Sequence, residues 1–181
     1  MTDSMTAHLV GVGIPTLREL RSAVIACSSP EDAVTALREA GFAGGEAVYA
    51  AFEQWLVESG GEHDAESWDP SDPSQLTLDE FGERAARFFH DAGWGDVTFS
   101  HDEAEGIAIV DITSCWEGAS DESGGEYGCQ ITTGLLAAFF GRIAGYPIAV
   151  METECCHGDG SPCRVLMGNA EVMDYKWQEM Q

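Results

Sequence analysis

Cysteines and acids late in the chain have the types and spacing to hold a metal ion. Glu152 and Cys155 stand three positions apart, and Cys163 follows across a tight turn, Gly158-Asp159-Gly160. Thiolates favour zinc, and a carboxylate oxygen can complete a tetrahedral set. A fourth ligand must come from elsewhere. Cys129 reads as the start of a helix, where the backbone dipole favours a thiolate. Neighbours compete for the same duty: Glu154, Cys156 and His157. Alternation along a strand puts Glu152 and Glu154 on one side unless a turn near Cys155 breaks the pattern. The thiols could also be buried and free, so spacing alone leaves the metal and its ligands open.

The elements that would position these groups can be read from periodicity. Leu17, Leu20 and Val24 recur at helical spacing, with Pro15 and Thr16 at the start. Ser29, Pro30 and Asp32 open a second helix carrying Val34, Leu37 and Ala40, which Gly41 is expected to end. After Gly44 and Gly45, the residues Val48, Tyr49, Phe52, Trp55 and Leu56 form another apolar stripe. Thr77 and Glu80 make a capping box for a helix bearing Leu78, Phe81, Ala85, Phe88 and Phe89, stopped at Gly93-Trp94-Gly95. Val97 and Phe99, then Ile107 to Ile112, read as a hairpin turning at 101–106. A helix from Cys129 to Ile143, strands at 146–151 and 163–167, and a short helix at 172–177 follow. The sum is an α+β fold: N-terminal helices packed with an antiparallel sheet, then a C-terminal helix and hairpin.

Composition bounds the partners. The chain has 181 residues, enough for a single core. It carries 32 acidic against 8 basic residues, a formal net charge of −24. Aromatic residues make up 9%, which argues against global disorder. Such charge repels itself in dilute buffer and is screened in concentrated salt, so we expect a protein of a high-salt cytoplasm; one acidic partner surface is the alternative. No basic patch exists to neutralise phosphates, so nucleic acid is not an expected partner. The start, Met-Thr-Asp-Ser-Met-Thr, has no basic region before an apolar run, so no signal peptide is expected, and no apolar run approaches a membrane span. Six cysteines in a reducing compartment suggest metal before disulfides. The glycines at 41, 44 and 45 do not form a phosphate-binding loop, since no lysine follows them, and no serine nucleophile, nicotinamide or flavin signature is present.

The segment Cys129-Gln130-Ile131-Thr132-Thr133-Gly134-Leu135 through Gly158-Asp159-Gly160-Ser161-Pro162-Cys163 resembles the 4-vinyl reductase domain family. That family includes aromatic-compound sensor domains of bacterial transcriptional activators and small proteins linked to chlorophyll biosynthesis. Residues 36–45, Gly93-Trp94-Gly95 and Ser114-Cys115-Trp116-Glu117 extend the resemblance over residues 17–168. It implies a single domain there; composition adds acidic loops at 59–75 and 117–126, which replace regions of the family pattern, a flexible stretch at 1–16 and a tail at 169–181. It also implies Zn²⁺ on Cys129, Glu152, Cys155 and Cys163, at spacings of 23, 3 and 8 residues. Four protein ligands close the shell, so the zinc is expected to be structural and the chain not an enzyme, unless Glu152 leaves. His157 and Asp159 are read as turn and supporting residues. His90 is a cap or a pocket donor, and Cys27 and Cys115 are buried apolar groups.

The expected function is a cytoplasmic small-molecule sensor. Family members commonly form homodimers. The sensor proteins continue into ATPase and DNA-binding regions that this chain lacks, so a separate regulatory partner is expected. An apolar or aromatic ligand would lie among Phe52, Trp55, Phe88, Trp94, Phe99, Trp116 and Phe139, between helices and sheet. The alternatives are an adaptor without a small ligand, and an accessory factor in tetrapyrrole metabolism.

Overall fold

The computed structural model describes residues 11–59, 76–118, 127–156 and 161–180. Among them are five helices and four strands. The helices are α1 (Ile14–Cys27), α2 (Pro30–Ser59), α3 (Leu78–Asp91), α4 (Gln130–Ala144) and α5 (Ala170–Glu179). The strands are β1 (Asp96–Asp102), β2 (Ile107–Thr113), β3 (Ala149–Glu154) and β4 (Cys163–Gly168). The fold is α+β, as its sequence periodicity implied.

The starts of α2 and α3 are made by the residues expected to make them. The Ser29 hydroxyl accepts the Asp32 N–H at 3.2 Å, opening α2. At α3 the Thr77 hydroxyl accepts from the Glu80 N–H, and the Glu80 carboxylate accepts from the Thr77 N–H at 3.0 Å. α1 begins at Ile14, inside the stretch read as flexible, while residues 1–10 lie outside the described part.

The expected break at Gly41 does not occur. α2 runs unbroken for 30 residues through Gly41, Gly44 and Gly45. The reason is packing. A Cβ on Gly41 would overlap the Ile131 carbonyl of α4, and one on Gly45 would overlap Ala138. From the other side, a Cβ on Gly134 would overlap the Arg38 carbonyl. Glycine here lets two backbones touch; it does not end a helix.

The sheet is antiparallel with order β1-β2-β4-β3. Register places Val97, Ile112 and Cys163 in one row and Phe99, Val110, Val165 and Glu152 in another row. Strand alternation puts both rows on one face. Their apolar members pack with Phe52 and Leu56 of α2, Phe81, Phe88 and Phe89 of α3, and Leu135 and Phe139 of α4. Ring centroids lie 5.3 Å apart for Phe52 and Phe88 and 5.2 Å for Phe89 and Phe139, at the angles favoured by aromatic edges.

Some apolar positions read as core are exposed. Leu20 is 60% exposed, since α1 turns Arg21 inward instead, and Leu78 at the tip of α3 is 69% exposed. Cys27 is exposed as well. Residues 60–75 and 119–126, with most of the two acidic loops, lie outside the described part. Among the described residues, no helix is long and apolar enough to cross a membrane.

Two alanine substitutions in neighbouring helices should act in opposite directions. Gly134→Ala must push α2 and α4 apart and should cost about 1–3 kcal/mol. Gly44→Ala meets nothing within 4 Å and should stabilise by about 0.5–1 kcal/mol through helix propensity. Urea unfolding of both variants checks the pair; equal signs would contradict the close-approach account.

Candidate metal centre

Three separate stretches of chain meet at the start of α4. Cys129 is its N-cap residue. The preceding Gly128 has φ of +62°, and a Cβ there would overlap a carboxylate oxygen of Glu152. That oxygen, Oε2, accepts the Cys129 N–H at 2.8 Å. Cys163 opens β4 and faces the same interior.

The ambiguity between Glu152 and Glu154 is resolved by a bulge. Glu152 pairs with Val165, but Glu154 pairs with Arg164, so β3 spends one extra residue between them. Glu152 therefore turns inward, and Glu154 turns outward to meet the Arg164 guanidinium at 3.3 Å.

The Cys129 Sγ lies 3.8 Å from the Cys155 Sγ and 3.4 Å from the Cys163 Sγ. Thiolates bound to a tetrahedral zinc at ~2.3 Å sit ~3.8 Å apart, so these separations suit one ion between them. A carboxylate oxygen of Glu152 joins the thiols, and the four candidate ligand atoms lie within 4.8 Å of one another. Glu152 Oε1 is buried with no hydrogen-bond partner. A buried acceptor without a donor is costly, and a cation would satisfy it. The donor set fits a divalent metal on Cys129, Glu152, Cys155 and Cys163.

The electrostatics point the same way. Burial pushes the Glu152 carboxyl up. Neighbouring thiols, together with burial, push Cys129 up, while thiol hydrogen bonds from Cys129 and Cys163 bring Cys155 down to about 5. Cys163 is also lowered by its thiol neighbours. Without a cation the cluster can hold only part of its negative charge; a bound metal ion lets every ligand ionise.

Two further cysteines crowd the same cluster. Cys115 is buried, as expected, but its sulfur stands 3.8 Å from that of Cys129. Cys156 is buried 3.3 Å from Cys163, and burial raises its thiol to about 12. His157 and Asp159 lie outside the described residues.

A buried ion pair beside the centre was not foreseen. Glu117, expected in a solvated acidic loop, is fully buried and Arg21 lies 3.4 Å from it, their side chains 0% and 1% exposed. Glu117 accepts the Ile131 N–H at 3.0 Å, and its other oxygen accepts the Thr132 N–H and hydroxyl, each at 2.9 Å. Burial pushes its carboxyl up, and these hydrogen bonds pull it back. Arg21 also donates to the Gly128 carbonyl at 3.0 Å. The available signal was an arginine between Leu17 and Val24, on the apolar stripe of α1.

Of the seven aromatic ligand candidates, Phe52, Phe88, Phe139 and Trp116 are buried in side-chain packing, and Trp55 packs on Phe52 and Phe88. Trp94 stands edge-on to Trp116 at 5.7 Å. Only Phe99 lines the large cleft of about 850 Å³ between α3, the end of α4 and the sheet. Phe81, Ala108, Phe140, Ile148 and Met167 also line it. The buried Trp116 indole Nε1 has no hydrogen-bond partner. His90 is at the surface, 2.7 Å from the Asp96 carboxylate, and not in a pocket.

No protein-family model matches this chain, and no curated protein matches it. Among solved structures, it is similar to the phenol-responsive sensory domain of the transcription activator PoxR, crystallised with phenol. The TM-score is 0.58 at 16% identity, over 96% of this chain and 84% of that one. A vinyl-4-reductase family protein from Methanocaldococcus jannaschii superposes with a TM-score of 0.37 at 16% identity, over 88% of this chain and 96% of that one. The likeness to the sensory domain is one of fold, and it is the fold that the sequence resemblance implied.

The purified protein should contain one zinc per chain by elemental mass spectrometry. Cys129→Ser and Cys163→Ser should lose it, and Glu152→Gln should hold it more than about tenfold less tightly. Cys115→Ala should retain the full equivalent. Loss from Cys115→Ala with retention in Glu152→Gln would contradict the ligand assignment.

Proposed function

We propose that this chain is a zinc-stabilised regulatory domain that senses an apolar or aromatic small molecule. The cleft beneath α3 and α4 carries this reading. Its volume of about 850 Å³ lies in the range of ligand sites, and its floor is apolar, built from Phe81, Phe99, Phe140 and Met167. The phenol response named for the PoxR domain belongs to that protein, but it sets the ligand class to test first.

In this reading Cys129, Glu152, Cys155 and Cys163 would hold one zinc ion. The ion would supply cross-linking, tying α4 to β3 and β4 and adding to folding stability. Four protein ligands favour a structural over a catalytic role. α4 bears Phe140 and Ile143 on the cleft and Cys129 at its other end. Ligand entry would therefore bias an element that the metal anchors. The output passes to a second copy of the chain or to a separate regulatory partner in the cytoplasm.

The adaptor reading is favoured by a different observation. The aromatic core is filled, and the cleft is open to solvent, as a groove for a protein segment would be.

Thermal unfolding with a panel of phenols and larger apolar aromatics separates these readings. We expect at least one compound to raise Tm, with Ala108→Phe abolishing the rise by filling the cleft. If Trp116→Phe abolishes it and Ala108→Phe does not, the ligand sits at the unpaired indole N–H instead. No shift with any compound would favour the adaptor. The same scans in about 0.1 M and about 1 M KCl test the high-salt reading, which requires Tm to rise as net charge −24 is screened.

A further inference from the structure

The geometry points to an oxidation site built into the metal centre: we propose that Cys156 forms a disulfide with Cys163 when the protein meets a hydroperoxide, and so removes a sulfur ligand from the zinc. The inference rests on the metal assignment above and goes beyond it.

Cys156 is not needed for coordination, because Glu152 supplies the fourth ligand. Yet its sulfur lies 3.3 Å from that of Cys163, nearer than Cys129 at 3.4 Å. The Cys156 N–H also donates to the Cys163 sulfur at 3.3 Å, which fixes the two residues side by side. Space for the pair is kept by Gly118, where a Cβ would stand 2.6 Å from the Cys156 sulfur and 2.9 Å from that of Cys163. Cys163 and Cys156 are themselves buried, so a small oxidant must reach them past Cys155, the half-buried member of the cluster.

The chemistry balances with a hydroperoxide as oxidant. The Cys163 thiolate attacks the peroxide, cleaving the O–O bond; it becomes a sulfenic acid and releases hydroxide or alkoxide. The Cys156 thiol attacks that sulfur, an S–S bond forms, and its proton leaves with the hydroxyl as water. The two cysteines lose two electrons, and the peroxide gains them. The metal is left with Cys129, Cys155 and Glu152, and the tie between α4 and β4 is cut. Thiol reductant with zinc restores the site.

The test uses the full chain as purified, with its metal content measured first. Hydrogen peroxide is added while a chromogenic chelator reports zinc release, and linked peptides are mapped by mass spectrometry. We expect one equivalent released in step with a Cys156–Cys163 linkage, reversed by dithiothreitol and zinc. Cys156→Ala and Cys156→Ser should keep the full metal content before oxidation and release it about tenfold more slowly. Release at the wild-type rate from these variants would overturn the proposal, as would a linkage of Cys129 to Cys155. If the purified protein holds no metal, the zinc assignment fails separately. The pairing is then judged on the peptides alone: a Cys156–Cys163 linkage supports it, and its absence after peroxide overturns it.

Discussion

The N-terminus of α4 is buried, and its first backbone N–H groups have no partners within the helix. They must find acceptors inside the protein. Two glutamates supply them. Glu152 takes the Cys129 N–H, and Glu117 takes those of Ile131 and Thr132. Each solution creates a new demand, because a buried carboxylate needs a cation. For Glu117 that cation is Arg21, brought in by α1. For Glu152 and the thiols around it, the set of donors calls for a metal ion. The order of dependence thus runs from a helix end to two acids, and from two acids to an arginine and a candidate metal site.

The same helix imposes a second constraint farther along. α4 lies against α2 so closely that Gly41, Gly45 and Gly134 cannot carry side chains. This contact fixes where α4 points, and with it the spacing between Cys129 at one end and the cleft at the other. Phe139 fills the core beneath, while Phe140 turns to the cleft. Adjacent residues of one helix therefore face the core and the cleft, so α4 links the cleft to Cys129.

What could be read from the residues follows from how local the signal was. The capping box at Thr77 and Glu80, the hairpin of β1 and β2, and the returning strand at Cys163 are encoded by neighbours and were legible. The candidate ligand set needed the family resemblance, because the bulge that separates Glu152 from Glu154 leaves no mark in the spacing. The continuous α2 was hidden because glycine carries two meanings, and only the facing helix decides between them. Arg21 with Glu117, and Cys115 beside Cys129, are pairings across long stretches of chain that periodicity cannot detect. The seven aromatic ligand candidates did not mark the boundary between core and cleft: Phe99 alone of them lines the cleft.

The central claim is a metal held by three sulfurs and one oxygen at the start of α4. X-ray absorption at the zinc edge, on protein purified without added metal, tests it most directly. The account predicts three sulfur neighbours at ~2.3 Å and one oxygen at ~2.0 Å. Four sulfurs with no oxygen would mean that Cys115 or Cys156 displaces Glu152, and an absent zinc signal in folded protein would contradict the account outright.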